Sequence, residues 1–240
     1  MWLKANKQTF TIGGLLIGMI TVILYMYYEN SELKSQLVQE KQEKQMVAAE
    51  QDYKQMIAYY KQKGQRNEPI ANGYEVLKKS KVLSDQFEKQ SNGRFKKAWG
   101  KFLVRESVRK GIDPYIVYEL LRVETGNTFD PNIVGPETKY GRAYGMAQFM
   151  KNTAPWIAEM ADLPYSEEKL FDPYYSIQLA IVYLDYLHAK YKDWDKVLTA
   201  YNRGMYGMET YIQEKGHAKS WYAKEIREKA KEQEMIAVAN

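Results

Sequence analysis

Glu124 is the side chain in this sequence best placed to do acid–base chemistry. It continues an apolar helical stripe made by Ile116, Val117, Leu120 and Leu121, at i+3 from Leu121 and i+4 from Leu120. A carboxyl on such a stripe is partly desolvated, which disfavours its charged form and keeps it protonated near neutral pH, as a general acid requires. The plainer alternative is that Glu124 ends its helix by pairing with a basic neighbour such as Arg122, or caps the loop that follows. Other chemistries are poorly supplied. The chain has no cysteine, which excludes disulfide scaffolds, thiol nucleophiles and Cys-ligated zinc. His188 and His217 are the two histidines, too few to make a histidine metal site or a Ser-His-Asp triad a strong reading. His188 falls on a tyrosine-rich helical stretch and reads as core edge or surface rather than as a ligand.

The elements that must position Glu124 read as helices. Asp113-Pro114 is an N-cap followed by proline at the first helical position, where the missing N–H costs nothing. The same device recurs at Asp172-Pro173, opening a helix with the apolar face Ile177, Ala180, Ile181, Leu184 and Leu187. Trp99, Phe102, Leu103 and Val108 give another face, ended by Gly111. Trp156, Ile157 and Met160 mark a further helix, and Val197, Leu198 and Tyr201 a short one that stops at Gly204. No alternating strand pattern of any length occurs. The expected fold class is all-α, with long connections where a site can be built.

Three ordered motifs then resemble a known family. Glu124-Thr125, Gly145-Met146-Ala147-Gln148 and Ala200-Tyr201-Asn202-Arg203-Gly204 are similar to the motifs of the soluble lytic transglycosylase (SLT) catalytic domain. Gly111-Ile112-Asp113-Pro114-Tyr115 and Phe129-Asp130-Pro131 add to the resemblance, which covers about residues 95–210. It implies a goose-type lysozyme-like fold and cleavage of the β-1,4 bond between N-acetylmuramic acid and N-acetylglucosamine. The product would carry a 1,6-anhydro end, and no metal or organic cofactor would be needed. By the same resemblance Glu124 is the sole acid/base, and Thr125 positions the sugar or the carboxylate. Gln148 and the Gly145, Met146 and Ala147 backbone line the glycan groove, Tyr201 sits beside Glu124, and Asn202 holds the loop. Thr125 stands where the family has serine, and Met146-Ala147 where it has Leu-Met. Gly145 follows Glu124 by 21 positions, and the extra residues fall in the segment 134–142. Asp130 or Glu137 as a second carboxylate would make the enzyme a hydrolase.

The amino-terminal part places this domain. Phe10 to Tyr28 carries no charged residue, and with Thr9 it makes a span long enough for a hydrocarbon core of about 30 Å. Tyr25, Tyr27 and Tyr28 suit an interface, and Tyr-Tyr-Glu-Asn follows instead of a small-residue cleavage site, so an uncleaved anchor is expected. Lys4 and Lys7 before the span, against Glu29, Glu32 and a single Lys34 after it, turn the rest outward. The expected organisation is a cytoplasmic end at 1–8, a transmembrane anchor at 9–28 and a helical stalk or linker at 29–93. A catalytic domain at 94–215 and a charged, mostly solvated helix at 216–240 complete it. Residues 95–215 carry 16 basic and 16 acidic side chains, so no basic stripe marks a nucleic-acid binder. The expected partners are peptidoglycan strands, the membrane through one helix, and candidate envelope or secretion machinery. Two rivals come from other classes: a non-catalytic wall-binding component, and an anchored scaffold acting through its stalk.

Overall fold

The computed structural model describes residues 18–40, 73–138 and 141–239 of the chain. Residues 18–40 form a helix, α1, whose side chains are exposed along its length. It belongs to a unit of its own, Met1–Tyr53. The expected span at 9–28 falls only in part on this helix, because residues 9–17 lie outside the described residues. Among the described residues no helix is long and apolar enough to cross a membrane.

The second unit, Lys54–Asn240, holds the candidate site. Its elements run α2 (Gly73–Gln90), α3 (Lys97–Arg109), α4 (Pro114–Glu124), β1 (Ala143–Tyr144), β2 (Phe149–Met150) and α5 (Ala154–Met160). A 3-10 turn (Glu167–Phe171) leads to α6 (Pro173–Tyr191), α7 (Trp194–Lys215) and α8 (Trp221–Ala239). The expectation of a mostly helical domain holds; a short antiparallel hairpin pairing Ala143 with Met150 and Tyr144 with Phe149 is added to it.

Local chemistry explains where the helices begin. Asp113 accepts the Tyr115 N–H at 2.9 Å and Pro114 follows it, while Asp172 accepts from Tyr174 and Tyr175 ahead of Pro173. These side chains satisfy amide groups that the first helical turn leaves without partners. α6 is buried on most sides, from Tyr174 through Leu187, and is the central helix of the unit. Helices α3, α4, α5 and α7 pack around it. The helix expected to stop at Gly204 does so, at a non-helical residue that separates two helical segments within α7. Gly204 has φ 74° and ψ 163°, and helical structure resumes to Lys215.

Two segments expected outside the domain are part of its core. α2 falls within the expected stalk, yet Leu83 and Phe87 are buried, and Phe87 stacks on Tyr118 of α4 with ring centroids 4.2 Å apart. The stalk's residues 41–72 lie outside the described residues. At the other end, α8 buries Tyr222, Ala223, Ile226 and Ala230 and packs against α4 and α7. Those positions form one apolar stripe at helical spacing within a charge-rich run. α8 is therefore an amphipathic helix with one buried face rather than a solvated one.

Candidate active site

Glu124 is the last residue of α4, which places its carboxyl at the negative end of the helix. It is partly exposed, and its surroundings push the carboxyl up to about 7 from an ordinary 4.5. Burial is the larger cause. A hydrogen bond from Tyr222, which favours the carboxylate, partly offsets it. The Tyr222 hydroxyl donates to Oε1 of Glu124 at 2.5 Å. Arg122, the alternative partner, is committed elsewhere. It binds Glu119, Glu225 and Asn127.

Immediately after Glu124 the chain turns sharply. Gly126, Asn127 and Phe129 all have positive φ, at 57°, 68° and 53°. Thr125 secures this turn. Its buried hydroxyl donates to the Leu121 carbonyl at 2.8 Å and accepts the Phe129 N–H at 3.0 Å. Phe129 is thereby locked into the aromatic cluster of Phe95 and Tyr118. The hydroxyl at 125 thus serves the helix end in this structure. Replacing Thr125 with Val removes a buried donor and acceptor and is expected to cost about 1–3 kcal/mol. Thr125→Ser keeps both bonds and should cost less. Denaturant unfolding of the two variants checks this.

The second motif forms the loop of the β1–β2 hairpin. Gly145 has φ 72° and Gln148 φ 49°. The Gly145 carbonyl accepts from the Gln148 backbone N–H at 3.1 Å and from its side-chain amide at 2.9 Å. The Gln148 side chain therefore braces the loop. Met146 and Ala147 are fully buried, so only their backbone is available to a groove. Before the hairpin, Val134 bridges to Tyr144, and Thr138 to Gly141.

Tyr201 braces the same loop from α7. Its hydroxyl donates to the Ala147 carbonyl at 3.0 Å. Burial raises its own proton affinity well above the usual phenol range, and the charge of Glu124 raises it further. The same two causes act, in the same order, on Tyr222. Two tyrosines from α7 and α8 thus share the field of Glu124, but the hydrogen bond comes from Tyr222. Asn202 is exposed on α7. Asp130 is exposed and accepts the Asn132 N–H at 2.9 Å, while Glu137 is exposed and pairs with Arg142 at 2.7 Å. His188 stacks on Trp194 with ring centroids 4.7 Å apart. Among the described residues no group of three or more His, Asp or Glu is placed to hold a metal ion.

The family description "Transglycosylase SLT domain" matches residues 103–224, just over half of the chain. The chain belongs to that family. The match runs through all three motifs and ends two residues beyond Tyr222, inside α8. Among solved structures this SLT chain is similar to an inactive mutant of the lytic transglycosylase Slt from Pseudomonas aeruginosa. The two share 17% identity, with a TM-score of 0.49 over 65% of this chain and 30% of that one. The SLT chain thus matches less than a third of that protein's length. No curated protein matches it.

Proposed function

We propose that the chain is a peptidoglycan lytic transglycosylase with Glu124 as its single acid/base. The observation that carries this reading is the half-buried carboxyl at the end of α4, raised to about 7 and held by Tyr222. A group with that proton affinity can both give and take a proton near neutral pH. The protonated carboxyl gives its proton to the glycosidic oxygen as the bond from C1 of N-acetylmuramic acid breaks. N-acetylglucosamine leaves with that oxygen as its hydroxyl. The sugar's own N-acetyl group stabilises the oxocarbenium-like centre. The Glu124 carboxylate then takes the proton of the C6 hydroxyl while O6 bonds to C1. The acid is restored, a 1,6-anhydro ring is formed and no water is consumed.

Tyr222 assists the first, proton-donating half of this cycle and orients the carboxylate for the second. Its donated bond favours the carboxylate left after the first step and fixes which oxygen faces the substrate. Removing the hydroxyl takes away the influence that lowers the Glu124 proton affinity, so Tyr222→Phe should move the titration of Glu124 to higher pH. Activity that needs the protonated acid falls as pH rises through this titration. The alkaline limb of the pH–rate profile is therefore expected to shift upward in Tyr222→Phe, with a lower rate at its plateau. A limb that stays at the wild-type pH would count against Glu124 as the proton donor.

The same reading sets the domain outside the membrane. The uncharged span at 9–28, with lysines before it and acidic residues after it, would anchor the chain with the site facing the wall. Envelope or secretion machinery would then be its neighbour.

A further inference from the structure

We propose that Arg122 is a positioning residue that clamps α8 onto α4 and so holds the Tyr222 hydroxyl against the Glu124 carboxyl. The inference rests on Glu124 as the acid/base and names what sets its geometry. Arg122 lies in the last turn of α4, two residues before Glu124. All three guanidinium nitrogens are engaged, in three directions. Nε donates to Glu119, one turn back on α4. Nη1 donates to Asn127 Oδ1 at 2.8 Å, in the turn that leaves Glu124. Nη2 donates to Glu225 Oε1 at 2.8 Å, on α8.

Glu225 follows Tyr222 by three residues, so it is the next turn of the same helix. The clamp therefore joins the helix end that carries the acid, the loop after it and the turn of α8 that carries its hydrogen-bond donor. A second tie runs alongside. The Gln233 amide on α8 donates to the other oxygen of the fully buried Glu119. Two carboxylates converge on one guanidinium, whose rigid planar fork aims its donors in fixed, divergent directions as a single ammonium point charge does not.

The charged groups around the clamp are Glu119 from α4 and Glu225 and Lys229 from α8, with Tyr118 also in its field. The groups that share the field of Glu124 are Tyr222 and Tyr201. The Glu124 carboxyl is governed by burial and by Tyr222. Arg122 consequently reaches Glu124 through the placement of Tyr222, not through its own charge.

The test is a carboxyl 13C NMR titration of Glu124 in the full chain, with the signal assigned by its loss in Glu124→Gln. It is run on wild type, Arg122→Met, Tyr222→Phe and the double variant, beside the pH–rate profile of glycan cleavage. Arg122→Met is expected to move the Glu124 midpoint upward, as Tyr222→Phe does. It should lower kcat about tenfold with little change in KM, because misplacement of a catalytic group by a fraction of an ångström acts on the reacting geometry. Adding Arg122→Met to Tyr222→Phe should produce no further shift. A folded Arg122→Met with a wild-type midpoint overturns the proposal, and so does an additive shift in the double variant. Should Arg122→Met not fold, Glu225→Ala cuts only the arm to α8 at a half-exposed position. An unmoved Glu124 midpoint there overturns the proposal equally. Full activity in Glu124→Gln would instead sink the acid/base reading, while the titration still reports on the clamp.

Discussion

Glu124→Gln is expected to fold, to bind glycan and to cleave it slower by roughly two to four orders of magnitude. The amide keeps an oxygen to accept the Tyr222 hydrogen bond at the end of α4, so little in the packing has to change. It cannot deliver a proton to the glycosidic oxygen or take one from the C6 hydroxyl, and general acid–base catalysis alone is worth about 10² to 10⁴ in rate. The same substitution should raise stability in alkaline solution. A carboxyl raised from 4.5 to about 7 in the folded chain binds protons more tightly there than when unfolded. Its contribution is intact below the unfolded value and is lost as pH rises toward the folded one. The loss amounts to roughly 3 kcal/mol once both states are ionised. The uncharged amide escapes that loss. Above pH 7 the variant is expected to unfold at higher denaturant concentration than wild type, and near pH 4 the two should converge. Retained activity would remove Glu124 from the mechanism. Equal stability at every pH would mean that its carboxyl is not held in a desolvated site.

Gly145→Ala is expected to be the most damaging single substitution in the β1–β2 hairpin. A methyl group there would lie inside the contact shell of the Leu170 carbonyl oxygen and 2.8 Å from Ser176 Oγ. Those two atoms are themselves hydrogen-bonded at 2.9 Å and are buried at the start of α6. Neither can move without breaking that bond, and φ of 72° strains any side chain at this position. Overpacking and strain together are expected to cost roughly 3–5 kcal/mol. That corresponds to a fall in Tm of about 10 °C for a domain of this size. Because Ala147 follows two residues later and accepts from Tyr201, the displacement should also lower activity. Gly93→Ala is the control. Its φ is 78°, but the space around it is open, so it carries strain without a clash and should cost only about 1 kcal/mol.

The sequence made Glu124 legible because a carboxylate at the next position of an apolar stripe is rare without a reason. It made the starts of α4 and α6 legible because Asp-Pro states both the cap and the first turn. The role of Thr125 was harder to read. A threonine after a glutamate says nothing of whether its hydroxyl faces a sugar or the carbonyl of the preceding turn, and the structure uses it for the turn. The Tyr201 hydroxyl reaches Ala147, a contact across 54 residues that no local pattern encodes. Tyr222 was hidden for a different reason. It opens a helix so dense in Lys and Glu that the charges mask the stripe of Tyr222, Ala223, Ile226 and Ala230. α2 was obscured in the same way by the polar segment before it. Long-range packing of amphipathic helices, rather than propensity, decided both.

In the proposed mechanism the C6 hydroxyl of the substrate, not water, ends the reaction at Glu124. Mass spectrometry of purified peptidoglycan digested by the full chain tests it most directly. Muropeptides lighter by one water than hydrolytic products are expected with wild type and should be absent with Glu124→Gln. Products with ordinary reducing ends would contradict it and turn attention to Asp130 and Glu137 as a second carboxylate. Glycan binding without any released product would contradict it too, and would leave a wall-binding component in place of an enzyme.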